Sequence, residues 1–221
     1  MSEETSLIDM FDTHEGHRIH KYPHVIEEYD YFFQSRRNQP VCIVEVGIAD
    51  GGSLELWRKY FGQEARIVGV DIADRLSLAK DLDVDIISGD QGDKRFWDWF
   101  KLTYPPVDIF IDDGSHNSQD QITTFESMFP HVAQNGLYCC EDLHTSYHPQ
   151  FGGGYLNEHS FIEFLKGKID SLHASASVNE ELHPDAFTET AYGIHVFPTL
   201  AIVEKRPAAS YGGPVMRGNI Y

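Results

Sequence analysis

The chain has 221 residues, 41% apolar and 13% aromatic, which is enough to bury one full core and too apolar for a disordered segment. Seventeen basic residues stand against 35 acidic ones, a formal charge of −18, and no Lys/Arg run appears. That balance argues against nucleic acid and against an anionic membrane surface as partners, and favours cations and neutral small molecules. Cys42, Cys139 and Cys140 lie in apolar runs that read as buried strands. Adjacent Cys139 and Cys140 would face opposite ways, so neither a disulfide between them nor a zinc site is expected. With no leader pattern and no membrane-length apolar run, the expected location is cytoplasmic.

In chain order, residues 12–31 are rich in His, Tyr and charge, with a short helix expected from Pro23. Residues 40–47 (PVCIVEVG) form an apolar run that predicts the first strand. A glycine break follows, then helical spacing of Leu54, Trp57 and Phe61, with Ser53 placed as the N-cap. Residues 65–71 predict a second strand, 74–80 a short helix, 85–90 a third strand and 94–104 the next helix. The fourth strand falls at 107–113, a helix at 119–129 stopped by Pro130, and the fifth strand at 136–142. Residues 160–166 read as helical, and 194–204 as two strands turned at Pro198 and Thr199. Strand–helix alternation with continuously apolar strands predicts an α/β fold, a mostly parallel sheet with helices on both faces and one antiparallel strand. The expected organisation is a covering segment over 1–35, one sheet domain over 36–206 and a tail over 207–221.

Ligands of open α/β sheets collect at the carboxyl ends of the strands. Those ends carry Glu45 and Gly47, Asp71, Asp90, Asp112 with Asp113, and Glu141 with Asp142. After the first strand the chain reads GIADGGS rather than G-x-G-x-x-G, and Glu45 and Asp50 would repel a pyrophosphate. A sulfonium cofactor with an amino-acid head tolerates that charge. Asp71 is placed to accept hydrogen bonds from two ribose hydroxyls, and the Gly89-Asp90-Gln91 corner supports the same site.

Asp113, Glu141 and Asp142 end neighbouring strands, and three acids that close cannot all stay ionised without a cation. Oxygen-only ligands select a hard ion such as Mg²⁺, Mn²⁺ or Ca²⁺. His116, three residues beyond Asp113, is the candidate general base for a hydroxyl.

The motifs VEVGIADGGSLELW, GVDI, GDQGD, DDGSH and EDLHTSYHPQFGG resemble the metal-dependent sugar O-methyltransferases of macrolide biosynthesis, the mycinamicin and macrocin group. The resemblance covers most of residues 12–142 and extends weakly to the closing strand pair. It implies a class I, Rossmann-like methyltransferase fold with a seven-stranded sheet, using S-adenosylmethionine and Mg²⁺ or Mn²⁺. By that likeness Glu45 and Gly47 lie beside the methionine part, Asp71 holds the ribose, and Asp90 with Gln91 borders the adenine. Ser53 and Asp112 complete the expected cofactor set, and His17 joins it through THEGHRIHKY, which is similar to the family's cofactor-covering segment. The likeness also implies Asp113, Glu141 and Asp142 as metal ligands, with His116 and Asp113 as the catalytic pair. The implied partner is a glycosylated small molecule bearing the hydroxyl acceptor, and the expected assembly is a homo-oligomer. His148 follows Tyr147 where relatives tend to carry tryptophan, so the acceptor pocket is expected to differ. A catechol or other vicinal diol, a nicotinamide-dependent oxidoreductase, an idle binding protein and an iron oxygenase using Asp113, His116 and His144 are the alternative readings.

Overall fold

The computed structural model describes residues 5–206. Seven strands form one sheet: β1 (Cys42–Val46), β2 (Arg66–Asp71), β3 (Asp85–Ser88), β4 (Val107–Asp112), β5 (Val132–Cys140), β6 (Ala191–Phe197) and β7 (Leu200–Lys205). Their order is β3-β2-β1-β4-β5-β7-β6. The first five pair in parallel, and β7 runs antiparallel to both β5 and β6. The strand pattern anticipated the mostly parallel sheet with one antiparallel strand, and the family resemblance the seven-stranded class I methyltransferase arrangement. Pro198 and Thr199 connect β6 to β7, and Thr199 takes a left-handed φ of 66°. Strand order reverses between β1 and β4, where an open α/β sheet leaves a crevice at the strand carboxyl ends.

Side chains alternate across the sheet and fill two cores. Ile43, Ile67, Ile109, Ile111, Cys139 and Ile202 face one core. That core packs against α1 (Leu7–Asp12), α2 (Pro23–Phe33) and α3 (Gly52–Phe61) through Leu7, Tyr29, Phe33, Leu54 and Trp57. Val44, Val68, Phe110, Tyr138, Cys140 and Val203 face the other. There they meet α5 (Lys94–Thr103), α6 (Ser118–Met128) and α7 (Phe161–His173) through Trp97, Phe100, Phe125, Met128 and Phe161. Cys139 and Cys140 do lie on opposite faces, and all three cysteines are buried free thiols. The remaining helices, α4 (Leu78–Leu82) and α8 (Ala186–Thr190), are single short turns at the periphery.

Local chemistry explains most boundaries. Asp93, Asn117 and Ser160 cap α5, α6 and α7 by accepting the backbone N–H of Arg95, Gln119 and Glu163. The sequence misplaced the start of α3, which is entered from Gly51 at a left-handed φ of 85° and begins at Gly52. Ser53 therefore sits buried inside the first turn instead of capping it. A Cβ at Gly52 would lie 2.2 Å from the carbonyl oxygen of His17, so the covering segment packs directly on this helix start. β5 begins four residues earlier than the apolar run implied, its register against β4 shifting between Val107 and Ile109. Residues 7–12 and 186–190 are helical without the sequence having signalled it. The 207–221 tail lies outside the described residues. No described helix is long and apolar enough to cross a membrane.

Phe110 stands in β4 with its ring stacked 5.1 Å from Tyr138 and edge-on to Trp97 at 5.7 Å. Phe110→Ala should cost ~3–5 kcal/mol in a denaturant-unfolding measurement, the range for emptying a fully packed aromatic site.

Candidate active site

A cleft of about 640 Å³ opens over the switch point between β1 and β4. Its floor comes from successive strand ends: Val46 at the end of β1 with Gly47 after it, Asp71 at the end of β2, Gly89 to Gln91 after β3, Asp113 to His116 after β4, and Asp142 after β5. Arg18, Ile19, His20 and Lys21 cross above it. Gly47 is needed for this geometry. Its φ is +84°, and a Cβ there would fall 2.0 Å from the carbonyl oxygen of Asp113. Ala49, His116 and Asp142 also hold left-handed φ values of 45°, 57° and 55°. Strain of this kind concentrates at binding and catalytic loops.

Gly47, Ser53, Asp71, Asp90 and Gln91 all line the cleft. Asp71 accepts the N–H of Ala49 and of Ala73, which aims its carboxylate beside the glycine turn. Gln91 spans the gap between loops: its amide donates to Asp112 and Thr124, and its carbonyl accepts the N–H of Ser115. Three expected cofactor residues do not line it. Asp112 is buried behind it, accepting from Gln91 and from Tyr138 at 3.2 Å. Burial pushes that carboxyl up to about 6, against the pull of those two donors. Glu45 is buried too, its Oε2 accepting the Trp57 indole N–H at 2.8 Å. His17 is tied to α3, its backbone N–H donating to Glu55 Oε2 at 2.9 Å and its ring Nδ1 3.3 Å from the same oxygen. In all three cases the side chain faces structure, and the neighbours in sequence face the cavity.

The acids beyond the cleft floor divide into two groups that share Asp113. Glu45, Asp113 and Glu141 form the inner one, and Asp113, Asp142 and His116 the outer one, with ligand atoms in each lying within 4.8 Å of one another. Lys21 occupies the inner group. Its ammonium lies 2.9 Å from Glu45, 2.8 Å from Asp113 and 2.6 Å from Glu141, with the side chain only 2% exposed. Tyr29 adds a hydroxyl donor to Glu141 at 2.8 Å. Burial by itself would lower the Lys21 pKa, but the charges of Asp113, Glu141 and Glu45 outweigh it and raise it well above the usual lysine range. One ammonium does not neutralise the crowd. Burial first, then carboxylate repulsion, holds Asp113 up at about 7 and Glu141 at about 8 despite the lysine.

The outer group pairs His116 Nε2 with Asp142 Oδ2 at 3.2 Å. Burial lowers the His116 pKa, opposed by the charges of Asp142 and Glu141, so the ring is neutral near pH 7 and able to take a proton. Asp142, not His144, completes the cluster around Asp113 and His116; His144 stands 3.8 Å from Asp142 on the far side of that acid's contact with His116. The two-histidine triad of an iron oxygenase is therefore not assembled among the described residues. The sequence reading missed Lys21 and Tyr29 altogether. An excess of buried acids was the available signal, since it demands a buried cation from somewhere in the chain.

No protein-family profile matches the chain. It is 37% identical over 204 residues to the 8-demethyl-8-alpha-L-rhamnosyl tetracenomycin-C 2'-O-methyltransferase of Streptomyces olivaceus, covering 88% of this chain and 53% of the relative. It is equally 37% identical, over 188 residues, to the corresponding 3'-O-methyltransferase of the same organism, covering 80% and 48%. The structure aligns with the MycE methyltransferase of the mycinamycin pathway, solved with Mg, SAH and mycinamycin VI, at a TM-score of 0.85 and 32% identity. That alignment covers 96% of this chain and 56% of MycE. The chain belongs to the sugar O-methyltransferase family of macrolide and polyketide biosynthesis. It spans about half the length of the curated relatives it matches.

Within this family fold, the glycine turn is the part least able to accept change. Gly47→Ala should lower stability by about 1–3 kcal/mol in denaturant unfolding, the cost of a side chain at a strained positive φ. Gly167→Ala is the control: nothing lies within 4 Å of its added methyl in α7. That change should raise stability by about 0.5–1 kcal/mol.

Proposed function

We propose that the chain carries the cofactor- and metal-binding half of an O-methyltransferase that methylates a sugar hydroxyl of a glycosylated secondary metabolite. The observation that carries this reading is the convergence of Asp71, Asp90, Asp113, His116 and Asp142 on one cleft in a chain of this family. S-adenosylmethionine is the proposed methyl donor. Asp71 would accept from its ribose hydroxyls, while Asp90 and Gln91 border the base. The first turn of α3 has no side-chain cap, so its N–H groups are available to a carboxylate.

The acids fit a hard divalent ion. Three carboxylates share one ammonium, a fourth, Asp142, stands beside Asp113, and the donors beside His116 are oxygens, the chemistry that suits Mg²⁺ or Mn²⁺. Asp113, Glu141 and Asp142 are the proposed ligands, Glu141 being shared with Lys21 and Tyr29. A bound ion would supply Lewis acidity that lowers the pKa of an acceptor hydroxyl. His116 would take the hydroxyl proton, its neutral ring held against Asp142, and Asp142 would stabilise the imidazolium that results. Much of the rate would come from holding acceptor and donor in line.

A row of rings leads away from His116: Phe151 at 6.3 Å, then His148 at 6.3 Å from Phe151, His144 at 5.5 Å and Tyr22 at 6.1 Å. Three of these four pairs meet edge to face, so the row offers ring faces and edges in turn, surfaces that can pack against the apolar side of a sugar ring. A homo-oligomer remains the assembly we propose, and the cytoplasm the compartment.

His116→Ala should cut methyl transfer to a rhamnosylated polyketide acceptor by about 10²–10⁴-fold, the contribution of a positioned base, while calorimetry still detects SAH binding. Unchanged turnover would remove the base assignment. EDTA should abolish transfer and added Mg²⁺ or Mn²⁺ restore it; transfer that persists in chelator would exclude a metal role.

A further inference from the structure

The cofactor cleft and the acid cluster are bridged by one side chain that neither role requires. Lys21 belongs to the segment that roofs the cleft, yet its ammonium ends between Asp113 of the floor and Glu45 and Glu141 behind it. The acids are also held by donors of packed helices, Tyr29 of α2 on the same Glu141 oxygen and Trp57 of α3 on the second oxygen of Glu45. The remaining ties of this segment are weaker. Arg18 pairs with Asp50 in the open, its side chain 80% exposed, and the His17 ring, 38% exposed, meets Glu55 at 3.3 Å.

We propose that Lys21 is a positioning residue that latches residues 13–22 down over the cofactor cleft and, as a resident cation, weakens the hold of the same acids on a divalent ion. This rests on the reading of the cleft as a cofactor and metal site. Two consequences of opposite sign follow. Removing the ammonium unfastens the roof, so the cofactor is held less tightly. It also takes away the ammonium that occupies Glu45, Asp113 and Glu141, so a divalent ion meets no resident cation among those acids and is held more tightly. A residue that merely supported the fold would weaken both.

The test uses the full chain and its Lys21→Met variant at pH 8, with Mn²⁺ binding read by electron paramagnetic resonance and SAH binding by calorimetry. Tryptic cleavage after Arg18, compared with cleavage after Lys101 in α5, reports roof opening without any ligand. The expected result is SAH affinity at least tenfold weaker, Mn²⁺ affinity at least tenfold tighter, and cleavage at Arg18 accelerated at least tenfold with Lys101 unchanged. Lys21→Arg, which keeps the charge, should recover most of the SAH affinity. If Lys21→Met does not fold, Lys21→Met/Glu141→Gln removes one charge of each sign. It should still show weak SAH binding and fast cleavage at Arg18. Variant affinities within twofold of wild type, or SAH and Mn²⁺ affinities falling together, would overturn the proposal alone. A wild-type chain that takes up neither ligand would overturn the reading of the cleft as well.

Discussion

The arrangement turns on a buried charge problem. Taking a carboxylate out of water costs several kcal/mol unless an opposite charge and hydrogen bonds replace the lost hydration. Here the ends of β1, β4 and β5 bring Glu45, Asp113 and Glu141 close behind the cleft floor. The solution reaches across the molecule: an ammonium from the N-terminal segment, a phenol from α2 and an indole N–H from α3. Each of these donors comes from an element that packs on the same face of the sheet. The residues preceding β1 are therefore part of the site's electrostatics, and the division at residue 35 suggested by sequence separates groups that touch.

That solution leaves the site deliberately incomplete. Burial first, and then the neighbouring carboxylates, keep Asp113 and Glu141 raised to about 7 and 8 with Lys21 in contact. Residual negative potential at the mouth of a cleft is what a divalent ion needs, and a second positive charge beside the ammonium is what the acids need. Strained backbone accompanies it. His116 and Asp142 meet at 3.2 Å because both loops hold left-handed residues, conformations that persist only where surrounding structure determines them.

How much of this could be read in advance follows from which forces act locally. The strands were legible because buried parallel strands need continuous apolar runs. The start of α3 was not, because the backbone of residues 17 and 18 fixes it and Ser53 supplies no cap. Strand-end acids flagged the cleft correctly for Asp71, Asp90, Asp113 and Asp142, yet Glu45 and Asp112 turned inward. Strand alternation decides that: Glu45 shares the parity of Ile43, a residue of the α2–α3 core, and Asp112 that of Phe110, a residue of the opposite core. Counting parity along β1 and β4 would have separated wall from interior. Lys21 was beyond local reasoning, since its segment has no periodicity and its partners lie 24 to 120 residues away.

The same distinction bears on specificity. A rhamnose 2'-O-methyltransferase and a 3'-O-methyltransferase are equally similar to this chain, at 37% identity. Identity over this half therefore does not track which hydroxyl is methylated. On the proposed reading, a glycine turn, a ribose acid, an ion cage and a base are demands that stay the same whichever oxygen attacks. Choosing between adjacent hydroxyls needs only a rotation of the sugar by one ring position against a fixed base. Small changes in a wall such as Phe151, His148, His144 and Tyr22 can impose that rotation without disturbing the cage. On that reading the chemistry is anchored in buried, interdependent charges, and the choice of acceptor falls to half-exposed rings that can vary one at a time.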